Sequence, residues 1–300
     1  MRIASETIFR QAVAAMQQAQ TDLARGQEQL SSGERIQRAG EDPSAFSSAA
    51  RMAAREAQLE SFARSGERAT QRLSLAETRI AETRDVLDRV REIAVQGNSP
   101  ALSATDRQAL DTELAQIREQ LMQSMNATDG AGRALFAGTA EGEAFTVAGD
   151  GSLRYAGDSG ARRIAISENA SVIDGEPGSR VFGSDGSNVV DAVDGLRAAL
   201  AEPDATLRAT GIADSLDALD LRLDALSLAR GRIGARLSAV EQAADVGVAE
   251  RDQLTAARSK LMDTDIAKAV TEVAQAGNRL TAAQQSYLQV QRGSLFDLIR

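Results

Sequence analysis

Few residues in this sequence combine the type and spacing that chemistry needs. Asp263-Thr264-Asp265 places two carboxylates at i and i+2. On any helix these point to different faces, so they cannot work as a paired general acid and base, and capping of a helix is the better reading. Asp150, Asp158, Asp174 and Asp185 lie among glycines and could ligate a cation, but aspartate in a glycine-rich turn ordinarily serves the turn. Gly130-Ala131-Gly132 is a fragment of a dinucleotide fingerprint that follows no strand, and it reads as a helix-terminating loop. The sequence has no Gly-x-Ser-x-Gly elbow, Walker-type phosphate loop, Ser-x-x-Lys pair or EF-hand. It also has no Cys and no His, which removes disulfides, thiolate nucleophiles, imidazole bases and the usual zinc ligand sets. The expectation is a protein without catalytic residues, cofactor or metal.

Charge narrows the partners. The 43 acidic and 34 basic residues give a formal net charge of −9, which repels nucleic-acid backbones and anionic membranes. Arg89 and Arg91 alternate with Asp88 and Glu92 and read as a solvated face. Residues Met1 to Thr7 lack the apolar core of a secretory signal, and no later stretch is long enough to span a bilayer. A cytosolic protein is expected, or one exported by a route that reads no such signal, with neither nucleic acid nor membrane insertion among its contacts.

The elements that carry these residues follow from glycine and from apolar spacing. Twelve of the 24 glycines fall between Gly130 and Gly186, so the chain reads helix, glycine-rich insert, helix. With seven Phe, two Tyr and no Trp, thin helical layers suit the composition better than a thick globular core. Phe9, Met16, Leu23 and Leu30 recur every seven residues and lay one narrow seam along a first helix, with Gly33 as its cap. Asp42-Pro43 supplies an N-cap and a first-turn proline for a second helix. Its stripe runs through Phe62, Gly66, Ala69, Leu73, Ala76, Ile80, Thr83, Leu87, Val90 and Ala94. If residues 45 to 96 form one helix it is about 78 Å long at ~1.5 Å per residue, which predicts a rod.

A third helix carries Leu110, Leu114, Ile117, Leu121 and Met125 and should end near Asp129-Gly130. Short β-like runs follow at 145–147, 153–155 and 163–166. Helical periodicity resumes at Val189, with a second long stripe: Ile212, Leu216, Leu219, Leu223, Leu226, Arg230, Ile233, Leu237 and Val240. Arg230 interrupts it, and the seam is expected to loosen there. A last helix, capped by Asp263 or Asp265, carries Ile266, Val270, Val273, Leu280 and Tyr287 and continues to Leu295 and Phe296. The expected fold is mainly α: an elongated rod of long coiled-coil-like helices, paired terminal helices and a small β-rich subdomain inserted mid-chain. Its parts are a terminal helical assembly domain (1–42 and 263–300), a helical rod domain (43–138 and 183–262) and the β subdomain (139–182). Two thin seams make only a two-layer contact. The terminal helices should therefore need neighbours, and an assembly interface is expected at Phe9, Met16, Leu23, Leu30, Ile266, Val270, Val273, Leu280, Tyr287, Leu295 and Phe296.

Several motifs converge on one family. Leu30-Ser31-Ser32-Gly33-Glu34-Arg35-Ile36 with Ala39-Gly40-Glu41-Asp42-Pro43, and then residues 87–98, resemble the N-terminal blocks of bacterial flagellins and their junction proteins. The run from Asn126 to Gly138, Tyr155-Ala156-Gly157-Asp158-Ser159-Gly160 and the ending from Ala282 to Phe296 resemble the branch that joins hook to filament. The resemblance implies a structural, non-catalytic subunit of the flagellum, exported unfolded through the flagellar secretion channel. It implies hook-associated protein 1 and flagellin as axial partners and self-association in a ring. The exposed seam from Val270 through Leu295 is the expected dock for a cytosolic export chaperone, whose helix would lie along the apolar face. A filament-forming flagellin would share the terminal helices, and a cytosolic coiled-coil scaffold would share the seams without export.

Overall fold

A computed structural model describes the backbone of residues 2–149 and 151–298, and side chains at residue 7, residues 9–149 and residues 151–289. Its helices are α1 (Arg2–Ser32), α2 (Pro43–Gly97), α3 (Ala104–Met125), α4 (Gly178–Val181), α5 (Val189–Ala201), α6 (Ala205–Met262) and α7 (Ile266–Leu298). Four three-residue strands lie between α3 and α4: β1 (Phe145–Val147), β2 (Leu153–Tyr155), β3 (Arg163–Ala165) and β4 (Ser171–Ile173). The chain divides into two compact units, Met1–Gln58 with Glu250–Arg300 and Leu59–Ala249.

The helix ends follow local chemistry. Gly33 closes α1 in the left-handed region (φ +76°) while its N–H donates to the Gln29 carbonyl at 2.9 Å, a conformation that a side chain would strain. Asp42 caps α2 by accepting from the N–H groups of Ser44 (3.1 Å) and Ala45 (3.0 Å), with Pro43 in the first position where its missing N–H costs nothing. Ser103 and Asp106 form a reciprocal capping box on α3, and Asp204 starts α6 by accepting from Thr206 and Leu207. Of the two expected caps for α7, Asp265 is the one that accepts from a first-turn N–H, that of Lys268 at 3.1 Å.

These caps set an acid limit. The Ala45 and Ser44 donors hold Asp42 below the usual aspartate value of 3.8, Ser103 does the same to Asp106, and Leu207 and Thr206 do it to Asp204. The unfolded chain lacks those donors and binds protons first, so the stability that these carboxylates give above about pH 4 is lost as pH falls through their folded-state values. Asp191 opposes this, because burial raises it and favours the folded state when protonated. Glu41, Asp129, Asp158 and Glu250 are lowered as well, so seven lowered carboxylates stand against one raised, and helicity measured by circular dichroism should hold to about pH 4 and fall between about pH 4 and 2. A flat signal to pH 2 would contradict the assignment.

In the unit Leu59–Ala249 the α2 stripe is buried at every expected position except Phe62, which is half-buried. Leu73, Ile80, Leu87 and Val90 join Ile212, Leu219, Leu226 and Ile233 of α6, Leu114, Leu121 and Met125 of α3, and Val193 and Leu196 of α5 in one core. The seam does not loosen at Arg230. Ala229 and Ile233 on either side are fully buried, and the guanidinium swings out of the core to donate to Glu77 Oε1 of α2, at 2.9 Å from Nε and 2.7 Å from Nη2.

The insert departs from expectation in three places. First, α3 stops at Met125, short of Asp129. The Asn126 amide then clamps the start of β1, donating to the Phe145 carbonyl and accepting from its N–H, each at 2.8 Å. Second, β3 pairs antiparallel with β4, as β1 does with β2; Ser171-Val172-Ile173 is too short for alternation to announce it. Third, Pro177 introduces the short helix α4. The segment 139–182 shares its core with the helices. Phe182 packs edge-on to Phe136, with ring centres 4.8 Å apart, and against Phe145 at 6.1 Å, and Phe145, Leu153, Val181 and Phe182 all belong to the main cluster.

Candidate assembly interface

The residues that might have carried chemistry serve the fold instead. Asp158 accepts from Thr139 N–H (2.7 Å) and hydroxyl (2.6 Å) and from Gly160 N–H (2.9 Å), and the Thr139 donors hold it below the usual aspartate range. Asp174 pairs with Arg162 and lies 3.8 Å from Arg72 Nε. Asp185 accepts from the Tyr155 N–H at 2.8 Å, and Asp150 lies outside the described residues. Asp263 accepts from the Ser259 hydroxyl, whereas Asp265 caps α7. Among the described residues, no group of three or more His, Cys, Asp or Glu is placed to hold a metal ion, and no helix is long and apolar enough to cross a membrane.

The terminal unit is built from an antiparallel pair, α1 against α7. The Gly33 turn ties their ends together: Thr264 N–H donates to the Gly33 carbonyl (2.8 Å), Arg35 N–H donates to the Met262 carbonyl (2.6 Å), and Glu34 bridges to Asp263. At the far end Phe9 and Tyr287 meet ring to ring, 5.3 Å between centres. Along α1 the covered positions include Ala12, Met16, Ala19, Leu23, Gly26 and Leu30; along α7 they include Ala269, Val273, Ala276, Leu280, Ala283 and Tyr287. Both series step by four and three, the coiled-coil spacing. Gly26 makes room for Val273, since a Cβ there would sit 2.6 Å from Val273 Cγ2.

Met16, Leu23, Leu30, Val273, Leu280 and Tyr287 therefore lie on the seam between the two helices, each half-buried, and Phe9 sits at its end, 40% exposed. Ile266 and Val270 do not face α1. They stand on the flank of α7, 65% and 52% exposed, with Leu288 54% exposed further along. The Leu295 and Phe296 side chains lie outside the described residues. What the sequence reading missed is the alanine half of the seam on α7; Ala269, Ala276 and Ala283 at seven-residue spacing were the available signal.

Small residues dominate what this unit buries. Among its described residues, the buried apolar side chains are Ala19, Ala45, Ala49, Ala269, Ala276 and Ile36. A buried methyl contributes under about 1 kcal/mol, so this unit has far less to hold it together than its partner unit, whose core is Leu, Ile, Val and Phe.

Comparison with known proteins gives a consistent result. Residues 3–141 match the bacterial flagellin N-terminal helical region. Flagellar hook-associated protein 3 of Escherichia coli strain K12 is 27% identical, over 99% of this chain and 99% of that protein. Flagellin of Bacillus subtilis strain 168 is 28% identical, over 87% of this chain and 86% of that protein. Among solved structures, hook-associated protein 3 of Legionella pneumophila aligns with a TM-score of 0.65 at 17% identity, covering 70% of this chain and 98% of that one, which supports the helical fold with its small strand region. These relatives are structural flagellar proteins.

Proposed function

We propose that this chain is a member of the bacterial flagellin family and, within it, the structural subunit that joins the flagellar hook to the filament. The observation that carries this reading is the end-to-end match to a hook-associated protein 3, 99% of both chains. The terminal unit supports it, because an alanine-cored helix pair with exposed Ile266, Val270 and Leu288 is suited to packing among neighbours. The subunit would self-associate in a ring, contact hook-associated protein 1 on one side and flagellin on the other, and catalyse nothing. Before export, without a cleaved signal, the α7 flank from Val270 would be held by a cytosolic chaperone, since an uncovered apolar flank in crowded cytosol risks premature association.

A junction subunit faces different proteins at its two ends, so its contacts are heterologous and must not propagate. Deleting the gene tests this. Cells should build hooks, fail to hold filaments and release flagellin into the medium. Full-length filaments on such cells would overturn the reading. The 28% match to a flagellin favours one second reading, a filament-forming subunit, which growth of long homopolymers from the purified chain would support.

A further inference from the structure

Arg230 stands where the sequence otherwise places leucine. Leu216, Leu223, Arg230 and Leu237 are spaced by seven along α6 and all are half-buried. The other half of the α6 seam is close to periodic, with Ile212, Leu219, Leu226, Ile233 and Val240 repeating every seven residues. A seam of this kind is nearly self-similar after a slip of one heptad, about 10 Å of travel at ~1.5 Å per residue. Apolar burial alone discriminates poorly between such registers.

The charges do discriminate. In the native register the Arg230 fork lies on Glu77 of α2 at 2.7 Å, and Gly66 lies opposite Val240. Slip α6 one heptad in one direction and Arg230 comes opposite Arg84, with Leu237 opposite Glu77. Slip it the other way and Arg230 comes opposite Thr70, with Leu223 opposite Glu77. Either slip leaves a half-buried carboxylate against leucine, and one adds like-charge repulsion. Both partners are about one-third exposed, so the pair contributes little net stability. Its consequence lies in what the alternatives lose. One charged residue in an apolar heptad series is the best-attested way for a helix pair to fix its register.

We propose that Arg230 and Glu77 are the pin that sets the register of α6 against α2. The pair acts by penalising the slipped registers, and the Glu176 carboxylate, held by Arg232 (3.1 Å) and Arg236 (2.7 Å), anchors the same stretch of α6 to the turn after β4.

The chain has no Cys, so the register can be read by paired cysteines under mild oxidation of the full-length protein. Gly66→Cys with Val240→Cys reports the native register. Gly66→Cys with Gly247→Cys reports a one-heptad slip, and Gly247 has nothing within 4 Å for a side chain to disturb. In the Glu77→Leu/Arg230→Leu background the slipped disulfide should rise at least about tenfold while the protein stays folded, because leucine at both positions is neutral to stability or better. The charge swap Glu77→Arg/Arg230→Glu should keep the native disulfide alone. Three results would each overturn the proposal: no slipped disulfide in the double-leucine chain, loss of folding in that chain, or slippage in the charge swap.

Discussion

Met16→Asp or Leu280→Asp should lower the amount of this chain recovered in flagella by at least about tenfold, while the unit Leu59–Ala249 melts as in the parent. Both side chains are half-buried on the seam between α1 and α7, whose covered positions are mostly apolar. An unpaired charge in such a place costs several kcal/mol, about 2–4 at a half-buried site. A two-layer pair of half-buried side chains and a few buried alanines cannot absorb that, so α1 and α7 separate. Sedimentation of sheared flagella followed by quantitative mass spectrometry gives the first number, and calorimetry of the purified chain gives the second. Normal incorporation of both variants would remove the helix pair from the account of assembly.

The second large effect is in the other unit. A self-contained surface module at 139–182 could be exchanged for a Gly/Ser linker without harm. The packing says otherwise, since Phe145, Leu153, Val181 and Phe182 are buried in the same core as the α2, α3 and α6 seams. Exchange of 139–182 for a short linker should therefore unfold this unit and abolish incorporation. Phe182→Ala is the graded version: it removes the ring that both Phe136 and Phe145 pack against and should cost about 3–5 kcal/mol. For a unit of this size that is a fall in melting temperature of roughly 10 °C. A linker variant that melts and assembles like the parent would show that the insert is a separable module.

Legibility from sequence divides along physical lines. Long elements with a sustained period could be read: the α2 stripe from Gly66 to Ala94 is buried at every position, and the Asp42-Pro43 and Gly33 signals end where the helices do. Effects that depend on distant partners could not be read. Arg230 looks like a defect in a one-dimensional pattern and becomes a contact only when Glu77 lies across the groove. Asn126 ends α3 early because the backbone of Phe145, nineteen residues on, satisfies its amide better than another helical turn would. On α7 the outward Ile266 and Val270 mask the alanines that face α1, because an apolar period registers large side chains more strongly than small ones. Asp174, read as turn chemistry, is held by Arg162 and Arg72, a pairing invisible until β3 and β4 align.

A junction subunit ends the hook and begins the filament without forming the filament itself. A single cysteine placed on the solvent face of α2, for example Ser74→Cys, can be labelled with a fluorophore on living cells, because the chain has no other thiol. A junction subunit gives one focus of label at the base of each filament and none along its length. Label spread along the filament would contradict it and identify the chain as a filament-forming flagellin.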